Sequence, residues 1–218
     1  MATGVLVAPP SGSSTCLPSR SPVRVVHSKL PCKFWLQQIP SVDEARPGSC
    51  PVCSLASREP GCSLGVVGHG LRERQLRGPA AVDVSPVIEV VLVRRYLCLR
   101  CSAVITVVPQ DVEPRRHYSR PAIALALALL ALSTQTASAI RQAISPWRIT
   151  ATSGWATLRR WIVAVRRGVL FPSAALPPEA SSAQVAERVA QVALSHAPPS
   201  LRRAPQLALV FAGAAAMA

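Results

Sequence analysis

The chain has 218 residues, with 24 Lys and Arg against 10 Asp and Glu, and a formal net charge of +14. That length accommodates one or two small domains with a modest core. Its longest apolar runs, 122–132 and 207–218, are about half of the ~20 residues a spanning helix requires, which argues against a membrane protein. Lys29 and Lys33 are the only lysines, so nearly all of the basic charge is arginine. The planar guanidinium fork suits bidentate phosphate contact, although a GC-rich coding sequence would give the same bias together with the many alanines.

Residues 1–45 are expected to form a disordered lead, punctuated by Pro9, Pro10, Pro18, Pro22, Pro31 and Pro40. The first 42 residues contain no acid and several serines and basic residues, a composition that also suits an organellar transit peptide. The repeated Pro-Ser pattern opposes the amphipathic helix such a peptide needs, which favours disorder.

Residues 46–112 begin with Cys50-Pro-Val-Cys53 and end soon after Cys98-Leu-Arg-Cys101. A CxxC turn points two sulfurs the same way, and two such turns supply the four soft ligands of a closed tetrahedral zinc site. The predicted ligands are Cys50, Cys53, Cys98 and Cys101, holding one structural Zn²⁺. The 44 residues between the pairs exceed the usual ~15–20 of a compact site, so they are expected to fold back as a β excursion. A disulfide framework would require an oxidising compartment, and no convincing secretory signal is present. A redox CxxC would lie between a strand and a helix, whereas strands are predicted around both pairs. Cys16, Cys32 and Cys62 are taken as free thiols, with Cys62 or His69 kept open as a replacement ligand.

Within this segment, residues 65–69 and 71–76 form two short extended runs around Gly70, the second made basic by Arg72, Arg74 and Arg77. The period-two alternation of 87–96 predicts the clearest strand. A return strand over 103–108 is stopped by Pro109. Strand, cysteine turn, strand is the arrangement of a zinc ribbon, whose sheet is too small to stand without its metal.

Residues 113–172 change character. Ser119 can cap a helix with Pro121 in its first turn, and its run 122–132 is apolar all round, as for a helix central to a core. A second helix is predicted over 136–144, broken by Ser145 and Pro146. Thr150, Thr152 or Ser153 can cap a third, which runs to about Arg167 and is ended by Gly168. In that helix Trp155, Leu158, Trp161, Ile162 and Val165 share one side, while Arg159, Arg160, Arg166 and Arg167 lie outside it. Three helices with a turn before the last is the layout of a helix-turn-helix domain, whose last helix enters the major groove. No Asp or Glu occurs from 114 to 178. A one-sign block of this kind implies a polyanionic partner. The predicted nucleic-acid contacts are Arg72, Arg74, Arg77, Arg115, Arg116, Arg148, Arg159, Arg160, Arg166 and Arg167.

Residues 173–218 are predicted as a Pro/Ala/Ser linker, a helix over 182–195 with the stripe Val185, Val189 and Val192, and a final apolar segment. These helices are left free to dock on the helical domain, on a second copy or on another protein.

The order of these motifs resembles the N-terminal region of certain bacterial insertion-sequence transposases and their stand-alone relatives. The resemblance spans roughly 48–170: Cys50-Pro-Val-Cys53, the basic run 70–78, the Arg94-Arg95-Tyr96 lead into Cys98 and Cys101, and 114–118 with the helices beyond. It implies a zinc ribbon followed by a helix-turn-helix, with the four cysteines as ligands and the third helix on DNA. Ser54 and Ser102 stand where such cysteine turns usually carry glycine.

A transposase also needs three carboxylates holding two metal ions, and beyond Glu113 only Glu179 and Glu187 remain. No nucleophile elbow, phosphate-binding glycine loop or HExxH pattern is present. His69 and His117 each lie four residues from a glutamate, with no nucleophile for such a pair to activate. The sequence therefore predicts an α+β protein, a small zinc-ribbon β domain followed by a three-helix helix-turn-helix. It is expected to be a non-enzymatic binder of double-stranded DNA in the bacterial cytoplasm. A zinc-scaffolded protein-interaction module is the alternative.

Overall fold

The computed structural model describes residues 24–113, 116–147 and 155–217. Among them the chain is α+β, with one four-stranded sheet and six α-helices. The β-branched stretch expected as a strand forms β3, Val87–Cys98, and pairs antiparallel with β2, Val66–Gly78. The two runs expected around Gly70 are thus a single strand. Its register slips between Gly68 and Leu71, and Gly70 takes the φ of +88° that the irregularity demands. β4, Val104–Val108, returns antiparallel along the far end of β3. In β3 Val91 and Val93 are buried and then, after a change of parity, Tyr96 and Cys98, while Val87, Ile88 and Val90 at its start are exposed.

The disordered lead is corrected for residues 24–45. Arg24–His27 form β1, which pairs parallel with β4 and completes the order β1-β4-β3-β2. A short helix, α1 (Cys32–Gln37), follows. Trp35 drives this ordering: it is buried, and its indole N–H donates to Ser28 Oγ at 3.2 Å. The Asp111 carboxylate accepts from the Cys32 N–H at 2.8 Å. Burial of one large aromatic outweighs the proline-rich composition around it. Residues 1–23, including Cys16, lie outside the described residues.

The helical half is built around α2, Arg120–Leu132. Ser119 Oγ accepts from the Ala122 N–H, and Pro121 occupies the first turn, as expected. Residues 122–129 are all buried, because helices pack on it from several sides. Thr136 caps α3, Ala137–Ile144. α4 spans Ala156–Arg166, and its N-terminal residue Trp155 offers no side-chain cap; Thr150, Thr152 and Ser153 lie outside the described residues. Gly168, at φ +63°, ends it.

α5 (Ser182–Ser195) starts in a capping box of Ser181 and Gln184, and α6 (Gln206–Ala216) follows. Both pack against α2 and each other, burying Val185, Val189, Val210 and Ala214 in the core shared with Trp161 and Ile140. The boundary expected at 172 therefore does not divide the core. The apolar stripe left open for a partner is covered within the chain. No helix of the described residues is long and apolar enough to cross a membrane.

Sheet and helices meet at Gly78, whose φ is +129° and whose missing side chain leaves room for Ala122; a Cβ there would lie 2.6 Å from that of Ala122. A buried ion pair sits nearby. Arg120 Nε donates to Glu113 Oε1 at 2.5 Å, its Nη1 donates to the Met217 carbonyl, and its backbone N–H to Asp111 O. One guanidinium thus joins the end of the sheet, the start of α2 and the end of α6.

Candidate metal centre and basic surface

The two CxxC turns have matching backbones. In the first, the Ser54 N–H donates to Cys50 O at 2.9 Å and the Cys50 N–H to Leu55 O at 2.8 Å. In the second, the Ser102 N–H donates to Cys98 O at 2.9 Å and the Cys98 N–H to Ala103 O at 3.0 Å. Each turn closes through a serine at φ 56°, the left-handed geometry that glycine would adopt without strain. The intervening residues are spent mainly on the β2–β3 hairpin, whose pairing Val66↔Cys98 returns the chain to its starting point. The excursion demanded by the long spacing is that hairpin.

The four sulfurs converge. Cys50 Sγ lies 3.7 Å from Cys101 Sγ, and Cys53 Sγ lies 3.6 Å from Cys98 Sγ. All four ligand atoms fall within 4.8 Å of one another. A disulfide would bring a pair to about 2 Å, and all the described cysteines are free. Cys50 and Cys98 are buried and the other two half-buried. The set can hold a metal ion, and its soft donors and spacing fit a tetrahedral thiolate site. Cys62 and His69 are exposed and stand outside the cluster.

Electrostatics within the cluster point the same way. Burial opposes the Cys98 thiolate, but the N–H groups of Cys101 and Arg100 and the sulfurs of Cys53 and Cys101 prevail, lowering it to about 7. Cys101 gains from the Ala103 N–H, yet desolvation and the neighbouring sulfurs push it up to about 12. One sulfur ionises readily while a second resists. A bound dication would supply the missing positive charge.

The predicted arginine contacts divide into two groups. Arg72 is exposed on β2, and Arg159, Arg160 and Arg167 are exposed on or just after α4. Those three line a cleft with Val163, Ala164 and Arg116. Arg116 also lines a second cleft, on the sheet side, with Arg72, Arg74 and His117. The apolar face of α4 is buried as expected, with Tyr118, Trp155 and Trp161 stacked edge to face at centroid distances of 4.9–6.0 Å.

The other arginines serve internal contacts. Arg74 Nη2 donates to the carbonyls of Glu113 (2.5 Å) and Arg116 (2.8 Å). Arg77 donates to Gln75 Oε1 at 3.1 Å and lies 5.7 Å from the Trp147 ring centroid. Arg166 makes an internal contact too: its Nη2 donates to Ala180 O at 2.7 Å and ties α4 to the chain before α5. Arg115 and Arg148 lie outside the described residues. The Glu113–Arg120 pair was not foreseen, since a buried ion pair across two elements leaves no periodic trace in sequence. Comparison with protein-family models, curated proteins and solved structures returned no match.

Proposed function

We propose that the chain is a zinc-stabilised, non-enzymatic DNA-binding protein, akin to the DNA-recognition region of a transposase without its catalytic domain, or a regulator. The observation that carries this reading is Arg116, which lines both clefts and joins Arg72 and Arg74 on one side to Arg159, Arg160 and Arg167 on the other. A line of cations from strand to helix matches the repeating charge of a nucleic-acid backbone. In this reading α2, α3 and α4 act as a helix-turn-helix, and α4 offers Arg159 and Arg160 to the major groove.

Zinc is the proposed occupant of the cysteine cluster. Tetrahedral coordination at a Zn–S length of about 2.3 Å gives sulfur–sulfur edges of about 3.8 Å, close to the 3.6 and 3.7 Å separations. Four thiolates leave no open coordination position, so the ion would supply folding energy and no catalysis. Exchanging Arg159 and Arg160 together for Gln is expected to weaken duplex binding and lower the slope of log affinity against log salt by about 2. An unchanged slope in a fluorescence-anisotropy titration would remove α4 from the interface.

A further inference from the structure

The sheet-side cleft has a volume of about 460 Å³ and draws on every strand. Val25 of β1 is paired with Thr106 of β4, and Val93 of β3 is paired with Arg72 of β2. These four residues line it with Arg74 of β2 and with Arg116 and His117 from the segment leading to α2. Glu73 is the one carboxylate of the lining. The ion pairs among the described residues join Asp43 to Arg46 and Arg58, and Glu113 to Arg120; Arg72, Arg74 and Arg116 enter none of them.

The cations are also held in place. Arg74 donates to the carbonyls of Glu113 and Arg116, fixing the segment that carries Arg116 and His117 beside the strand. The Arg77 N–H donates to His117 O at 2.7 Å and fixes it again. Charge is concentrated beyond what the protein itself balances. Burial and the charge of Arg72 hold Arg74 below the usual arginine range. Burial, Arg77 and Arg74 together lower His117. An anion in the cleft offsets the repulsion among these cations.

We propose that this cleft is a seat for one phosphate group, taken between Arg72 on the strand and Arg116 and His117 on the facing segment. Arginine forks approaching from two elements suit the tetrahedral oxyanion, which offers acceptors in every direction. The further assignment of that group as a backbone phosphodiester of the DNA rests on the function proposed above. In that setting the seat fixes the register of α4 through the shared Arg116, since phosphate contacts position a protein on its duplex.

The test titrates inorganic phosphate into the zinc-loaded full chain and follows the ring protons of the four histidines by NMR. The expected result is a saturable shift at His117, with His27, His69 and His196 unmoved. Arg72→Gln should weaken that binding at least about fivefold, and Glu73→Gln should tighten it about threefold by removing the opposing charge. Arg159→Gln with Arg160→Gln should leave it unchanged. A flat His117 signal, or equal affinity in Arg72→Gln, overturns the seat. The same proteins are then titrated with a DNA duplex. Duplex binding with a flat phosphate titration keeps the DNA reading and discards the seat. Phosphate binding at His117 without duplex binding keeps the seat and discards the DNA reading.

Discussion

Ser54 and Ser102 occupy equivalent corners, each at φ 56° after the second cysteine of a pair. A left-handed backbone costs a non-glycine residue about 1–2 kcal/mol, while glycine loses about 0.4–1 kcal/mol through the unfolded chain. Ser102→Gly is therefore expected to leave the metal-loaded melting temperature unchanged or slightly raised; a large drop would mean that the hydroxyl itself holds the turn. Glu113 shows the opposite behaviour. Its carboxylate is buried against Arg120, so Glu113→Ala strands a buried guanidinium and is expected to cost about 3–5 kcal/mol in urea unfolding. Cys32 adds a pH dependence. Burial, then the charges of Asp111 and Glu89, push its thiol from 9.0 to about 12. The folded state thus resists an ionisation that the unfolded chain undergoes near 9. This contribution to stability is whole below pH 9 and is lost as pH rises toward 12. Cys32→Ala should flatten that alkaline decline in a pH series of melts. The cysteine turns were legible in sequence because three-residue spacing is local chemistry. The Glu113–Arg120 pair and the Arg166 fastening were not, because both depend on packing between distant elements.

Helix starts were legible for a similar reason. Ser119, Thr136 and Ser181 each accept the N–H three residues on, a bond contained within one turn. β1 was hidden because four residues carry too little pattern, and because its stability comes from a parallel partner far along the chain and from Trp35. The docking of α5 and α6 was undecided in sequence since an apolar stripe does not name what it covers. Gly213 is where that docking is tightest: a Cβ would sit 1.8 Å from Ala193 O on α5. Gly213→Ala is expected to push α6 off α5 and cost about 1–3 kcal/mol. Gly48, with nothing within 4 Å of its Cβ position, should accept Ala with little change; equal effects at both sites would contradict the packing of α6.

At the scale of the molecule, two hydrophobic cores are joined through β2, residues 116–119 and Arg120. One core includes Cys50 and Cys98; the other is drawn mainly from the helices, with Tyr118, Leu170 and Phe171 from the segments between them. Arg74 and Arg77 of β2 bond the carbonyls of Glu113 and His117, and Arg120 bonds that of Met217, so these three residues tie the sheet to the helical half. With a metal in the cysteine cluster, its removal is expected to loosen the β2–β3 hairpin first, because the two cysteine turns bracket it. The basic surface spans both halves through Arg116, so its geometry depends on an intact sheet. Sequence foresaw the sign and the general place of this charge. It did not foresee that Arg74 and Arg166 also bond backbone carbonyls within the chain.

The most direct test of the account is metal stoichiometry on the purified full chain, by atomic emission, with Cys98→Ser beside the wild type. The account predicts one zinc per chain in the wild type, released by chelator together with the β signal in circular dichroism, and a variant that neither retains zinc nor folds its sheet. A wild-type chain that folds with the same sheet and melts at the same temperature with no metal bound would contradict it.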